Sequence, residues 1–166
     1  MKKGFTLVEL IVSFVLITIL SIVLFKTVIS MQKKQLENIE INQFKSLTYI
    51  LNNDINYDFL NDSIKTVSSC GNNCYNIDFK NKGNIKIIAD RDNNTITYGR
   101  TKEKLPNEYT FINTIEITKY ESNTDGLNSY ILLTIPIKSK LDPKFSSLKY
   151  MYEYDSKENN VNFVGF

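Results

Sequence analysis

From Phe5 to Phe25 the chain reads FTLVELIVSFVLITILSIVLF, 21 residues with one charge, Glu9, and neither Gly nor Pro. Nothing in the run breaks a helix. At about 1.5 Å per residue it measures ~31 Å, close to the ~30 Å hydrocarbon thickness of a bilayer. A secretory signal peptide has an apolar region of only about 7–15 residues and ends at an A-x-A-like site. This run is longer and no such site follows Phe25, so the segment is expected to span a membrane. Lys2 and Lys3 precede it and Lys26, Lys33 and Lys34 follow it, so flanking charge does not set its orientation.

After Phe25 the pattern becomes amphipathic. Leu36, Phe44, Leu47, Leu51 and Ile55 are spaced by eight, three, four and four residues, which marks one helical face. No Pro occurs before Pro106 and no Gly between Gly4 and Gly71. One unbroken helix is therefore expected from Phe5 to about Asp58, its outer half packed on a head. Beyond Leu60 the period shortens to two, with β-branched and aromatic residues, as strands require. The expected strands are Tyr75–Phe79, Ile85–Ile87, Ile96–Tyr98, Ile112–Tyr120, Tyr130–Ile137, Leu148–Tyr154 and Asn162–Phe166, the last two forming a closing hairpin. Turn residues at Asp90–Asn94 and Asn123–Gly126 imply antiparallel pairing. The predicted class is α+β: a long N-terminal helix, membrane-spanning then amphipathic, on a mainly antiparallel sheet.

At 166 residues there is room for one domain and an attachment segment. The 20 Lys and Arg against 18 Asp and Glu leave +2, too even for the electrostatic footprint of a nucleic-acid binder. The absence of His removes the commonest general base and metal ligand. With no nucleophile elbow and no phosphate loop, the chain is not expected to be an enzyme, to bind a metal or cofactor, or to act on a small-molecule substrate. The Cys pair and the many Asn, Thr and Tyr of residues 60–166 suit an exported domain.

Glu9 is the anomaly of the apolar run, because ionisable residues within a membrane segment are costly and point by default to function. A bland reading is available: four residues inside Phe5, or about 6 Å of helix, Glu9 can reach headgroup water. Its neighbourhood argues for more. Lys2-Lys3-Gly4-Phe5-Thr6-Leu7-Val8-Glu9-Leu10 resembles, residue for residue, the processing motif of type IV prepilins and type II secretion pseudopilins. The resemblance implies a type IV pilin-like fold and a short basic leader removed by a prepilin peptidase. The cut falls between Gly4 and Phe5, the amine of Phe5 is then methylated, and Glu9 pairs with a neighbouring subunit's amine during assembly. Gly4 suits the peptidase, since it has no side chain to shield the bond. Glu9 suits a register key, because an unpaired charge among apolar helices penalises wrong stagger.

The order of helix, hairpin, two long strands and closing hairpin resembles the J-type minor pseudopilins and related minor pilins. Those relatives' major subunits commonly carry a Pro or Gly where the helix leaves the membrane, whereas this chain has Lys26, Thr27 and Val28. The expected division is a cleaved leader at residues 1–4, a transmembrane segment at 5–28, an amphipathic extension at 29–60 and a head at 61–166. Expected partners are the prepilin peptidase, other pilin or pseudopilin subunits, the platform membrane protein and membrane lipid. The chain would sit in the cytoplasmic membrane with its head outside the cytoplasm, then in a surface or extracellular filament serving protein secretion or DNA uptake. An anchored module that binds DNA or a surface ligand is the alternative.

Three head features bear on chemistry. Cys70 and Cys74 flank the turn-forming Gly71-Asn72-Asn73, so a small disulfide loop is expected, with free thiols the alternative in a host without an oxidising system. Asp90-x-Asp92-x-Asn94 repeats the first spacings of a calcium loop, but Thr95 and Thr101 stand where Gly and Glu are needed, so a hairpin turn is preferred. The ten Tyr are expected to be strand packing.

Overall fold

The uninterrupted run of helix formers yields α1, Leu7–Asn61, 55 residues long. A computed structural model describes residues 6–121, 129–154 and 162–164 of the chain. It divides into two units, Met1–Ile39 and Glu40–Phe166, with the boundary inside α1. In the first unit the large apolar side chains are mostly exposed along the helix. Leu36, expected on the packing face, is 64% exposed. The face buried against the head begins only at Phe44 and continues through Leu47, Leu51, Ile55 and Phe59.

Among the described residues of the second unit ten strands follow α1: β1 (Ile64–Gly71), β2 (Cys74–Phe79), β3 (Gly83–Asp90), β4 (Thr95–Tyr98), β5 (Thr101–Lys104), β6 (Tyr109–Phe111), β7 (Glu116–Tyr120), β8 (Ser129–Ser139), β9 (Ser147–Tyr154) and β10 (Asn162–Val164). One sheet runs β10-β1-β2-β3-β4-β5. In the other, β8 is flanked by β6 and β7 on one edge and by β9 on the other. Among the described residues all pairings are antiparallel except β1 with β10, which is parallel. The fold is thus one long N-terminal helix followed by a mainly antiparallel β domain, α+β and pilin-like.

The closing hairpin is corrected by these pairings. β9 completes β8, pairing from Ser129↔Tyr154 to Pro136↔Ser147, while β10 crosses to the other sheet and covers the outer edge of β1. An unpaired edge leaves a row of backbone donors and acceptors open, and both edges of β8 are already taken. The expected strand at Ile112–Tyr120 is shorter, starting at Glu116, and the expected turn at Asn123–Gly126 lies outside the described residues.

Alternation delivers Val67, Ile77, Ile87, Ile96, Ile131, Leu133 and Ile135 to the core, where Leu51 and Ile55 of α1 are fully enclosed. Each such side chain contributes about 1.5–3 kcal/mol by leaving water. Aromatic contacts fix the helix on the strands: Phe44 stacks on Tyr109 at 3.9 Å and meets Phe145 edge-on, and Phe59 meets Tyr152 edge-on.

Candidate functional site

The first turn of a helix has four backbone N–H groups without intrahelical partners. Thr6, immediately before α1, and Glu9 in its first turn answer that need together. The Thr6 N–H and the Thr6 hydroxyl each donate to Glu9 Oε2 at 2.9 Å, and the Glu9 N–H donates to Thr6 Oγ1 at 3.3 Å. The Thr6 carbonyl accepts the first helical bond, from the Leu10 N–H, at 3.2 Å. This is a capping box, built from the spacing Thr-x-x-Glu. It also places a carboxylate at the positive end of the helix dipole. The Thr6-x-x-Glu9 spacing carries this cap in the sequence itself, within a run whose apolar setting makes the charge of Glu9 the more prominent feature. Gly4 and Phe5, the expected cleavage and methylation residues, lie outside the described residues.

Beyond the cap, α1 has one span long and apolar enough to cross a membrane, with a mean hydropathy of 2.8 over 18 residues and none of it buried. Three of its hydroxyl side chains are satisfied internally. The hydroxyls of Thr18, Ser21 and Thr27 donate to the carbonyls of Phe14, Ile17 and Val23 at 2.8–2.9 Å. In hydrocarbon, where water offers no partner, this return to the preceding turn removes the cost of an open hydroxyl.

In the head, Cys70 and Cys74 close the β1–β2 turn with Cα atoms 5.1 Å apart, and the structure joins their sulfurs. Asn73 within that turn takes φ +59°, a left-handed conformation that Asn tolerates. Two carboxylates hold the C-terminal end of α1. Asp62 accepts the backbone N–H groups of Ser63, Asn81 and Lys82 at 2.8–3.0 Å and the Asn81 side-chain amide at 3.0 Å. Burial pushes its pKa up, but these donors outweigh that and hold it below the usual carboxylate value. Asp58, buried, accepts from the Tyr98 hydroxyl at 3.0 Å and from Lys82 Nζ.

Asp90 caps the β3–β4 hairpin, accepting the N–H groups of Asp92 and Asn93 at 3.1 Å, so the Asp90–Asn94 segment is a turn. Among the described residues no three His, Cys, Asp or Glu side chains gather as metal ligands do. The tyrosines divide: Tyr98, Tyr109, Tyr150, Tyr152 and Tyr154 are buried, whereas Tyr49 and Tyr57 of α1 and Tyr120 of β7 are exposed.

Residues 1–25 match the family model described as the prokaryotic N-terminal methylation motif. This is the prepilin motif, and it supports a type IV prepilin or pseudopilin subunit whose apolar helix anchors it in a membrane. No curated protein and no solved structure matches the chain.

Proposed function

We propose that this chain is a minor pilin or pseudopilin: a structural subunit inserted in the cytoplasmic membrane as a precursor, processed, and drawn into a type IV pilus-like or type II secretion-like filament. A prepilin peptidase cuts between Gly4 and Phe5 and the Phe5 amine is methylated. The observation that carries the reading is the methylation motif over residues 1–25, running directly into a helix with an exposed apolar surface. A helix apolar all round finds its partners in lipid or in other apolar helices, and a filament offers the second after the membrane has offered the first.

Cleavage creates a positive amine four residues before Glu9. In a staggered parallel bundle that amine meets the Glu9 carboxylate of the neighbouring subunit, which fixes the stagger. Other pilin subunits and the platform membrane protein are the partners this route needs. The absence of Pro and Gly between Phe5 and Asp58 favours a subunit whose helix stays intact where it leaves the membrane.

Mass spectrometry of the mature protein tests the reading. Phe5 should be the first residue and carry one methyl group on its amine. An intact Met1 terminus in membrane and filament fractions alike overturns it.

A further inference from the structure

The head has an open cleft of about 1150 Å³ between the end of α1 and the turns of the six-stranded sheet. Its wall includes Asn53 and Tyr57 of α1, Lys82 of the β2–β3 turn, Asn84 and Lys86 of β3, and Arg100 of the β4–β5 turn. Two carboxylates also face it, and both are committed to the wall. Asp58, only 4% exposed, is held by Tyr98 and Lys82, and Asp54 accepts the Thr101 hydroxyl at 2.6 Å.

Lys86 and Arg100 are different. Both are exposed, and neither forms an ion pair among the described residues. They start from neighbouring backbone, since the Gly99 N–H donates to the Lys86 carbonyl at 2.8 Å. Gly99 takes φ +58°, and this left-handed turn delivers Arg100 to the same cleft. Beside them Tyr57 is 58% exposed, with Lys82 Nζ 4.7 Å from its ring centroid. An aromatic side chain left in water, next to amides and unpaired cations in a concave site, is the composition of a polar-ligand pocket.

The charge pattern selects among anions. Three cations and two carboxylates line the cleft, leaving one surplus positive charge. A nucleic-acid backbone gains affinity from many phosphates neutralised along its length, and two free cations at one point offer it little. A neutral sugar leaves Lys86 and Arg100 without partners. A saccharide with one acid group per sugar matches both features: its carboxylate answers the two cations, and its hydroxyls answer the Asn53 and Asn84 amides. Its C–H face can lie against Tyr57.

We propose that this cleft binds an acidic saccharide, with the acid group held by Lys86 and Arg100. The site belongs to the head alone and does not depend on filament assembly. The full chain in nonionic detergent should be titrated calorimetrically with trigalacturonate, cellotriose, a sulfated disaccharide and a twelve-residue oligothymidylate. Saturable binding of trigalacturonate is expected, with cellotriose at least about tenfold weaker. Lys86→Gln and Arg100→Gln should each weaken binding by about tenfold, the size that follows from losing one charge-assisted hydrogen bond. Arg91→Gln, outside the cleft, should change nothing. Comparable binding of the sulfated disaccharide, lost in the same variants, supports recognition of the acid group whatever its chemistry. Three results overturn the proposal: no saturable binding of either acidic sugar, binding unaffected by both cleft variants while their melting midpoints match wild type, or oligothymidylate binding more tightly than trigalacturonate.

Discussion

Thr6 and Glu9 exchange hydrogen bonds at the first turn of α1, so a substitution at Glu9 removes two things together: a helix cap and a charge. Substitutions can separate them. Glu9→Gln keeps a side chain able to reach the Thr6 N–H, as Gln does in a capping box, but abolishes the charge. Thr6→Ala does the reverse, and Glu9→Ala removes both. Losing the cap costs about 1 kcal/mol, whereas leaving one member of a buried ion pair unpartnered costs roughly 3–5 kcal/mol, less where water reaches it. If Glu9 pairs with a neighbouring amine, Glu9→Gln and Glu9→Ala should both fall severalfold in sheared filaments while Thr6→Ala falls little. All three should insert and be processed, since none makes the span less apolar. Precursor and mature forms resolved by size in membrane and filament fractions give the readout. Wild-type abundance of Glu9→Gln in filaments would leave capping as the whole role of Glu9.

Among the elements, the end of α1 is held by Asp58 and Asp62, and this clasp gives the head an alkaline limit. Burial pushes the Tyr98 hydroxyl far above the ordinary tyrosine value, with the Asp58 charge adding to it; the hydrogen bond to Asp58 likewise pushes Lys82 up. Both groups hold their protons more tightly folded than unfolded. Their contribution is therefore complete below about pH 10 and is lost as pH rises past the ordinary tyrosine and lysine values. Tyr98→Phe should lower stability at neutral pH by about 1–3 kcal/mol, because buried Asp58 loses a donor. The decline above pH 10 should become shallower in that variant. Denaturant titrations at pH 7, 9 and 10.5 check both, and an unchanged alkaline slope would remove Tyr98 from the account.

The same elements show what could be read from residue order. α1 was legible because no Gly or Pro interrupts it, and β2, β3, β4, β8 and β9 because their alternation is clean. β1 escaped since irregular pairing between Ile64 and Thr66 breaks its period of two. β5, Thr-Lys-Glu-Lys, is a polar edge strand formed by backbone pairing with β4, and β6 has only three residues. Leu36 fitted the helical spacing but lies before the first residue that the head covers, a limit set by tertiary packing. The capping box was readable, while the cleft was not, since residues from 53 to 101 meet there only once α1 and two hairpin turns are in place.

At the scale of the molecule, the chain separates into a helical unit that carries the processing signal and a head with its own core and disulfide. Removing residues 1–4 takes away Lys2 and Lys3 and brings the formal charge from +2 to 0. On the proposed function, a cationic leader on the cytoplasmic face would oppose withdrawal of the helix from the membrane, and its loss would free the subunit toward a filament. Folding of the head should need none of this, because among the described residues every buried one lies at Phe44 or beyond. Gly4→Leu, which shields the scissile bond, should therefore arrest the chain at precursor size in the membrane and deplete it from sheared filaments. The head should still form. Without reductant, Cys70 and Cys74 should resist thiol labelling in this variant and in wild type alike, although so short a loop adds only modest stability. Normal mature protein from Gly4→Leu would contradict the steric argument at the cleavage site. Labelling of both cysteines in the arrested precursor, but not in wild type, would show that the head acquires its bridge only after processing, and the independence of the two units would fail.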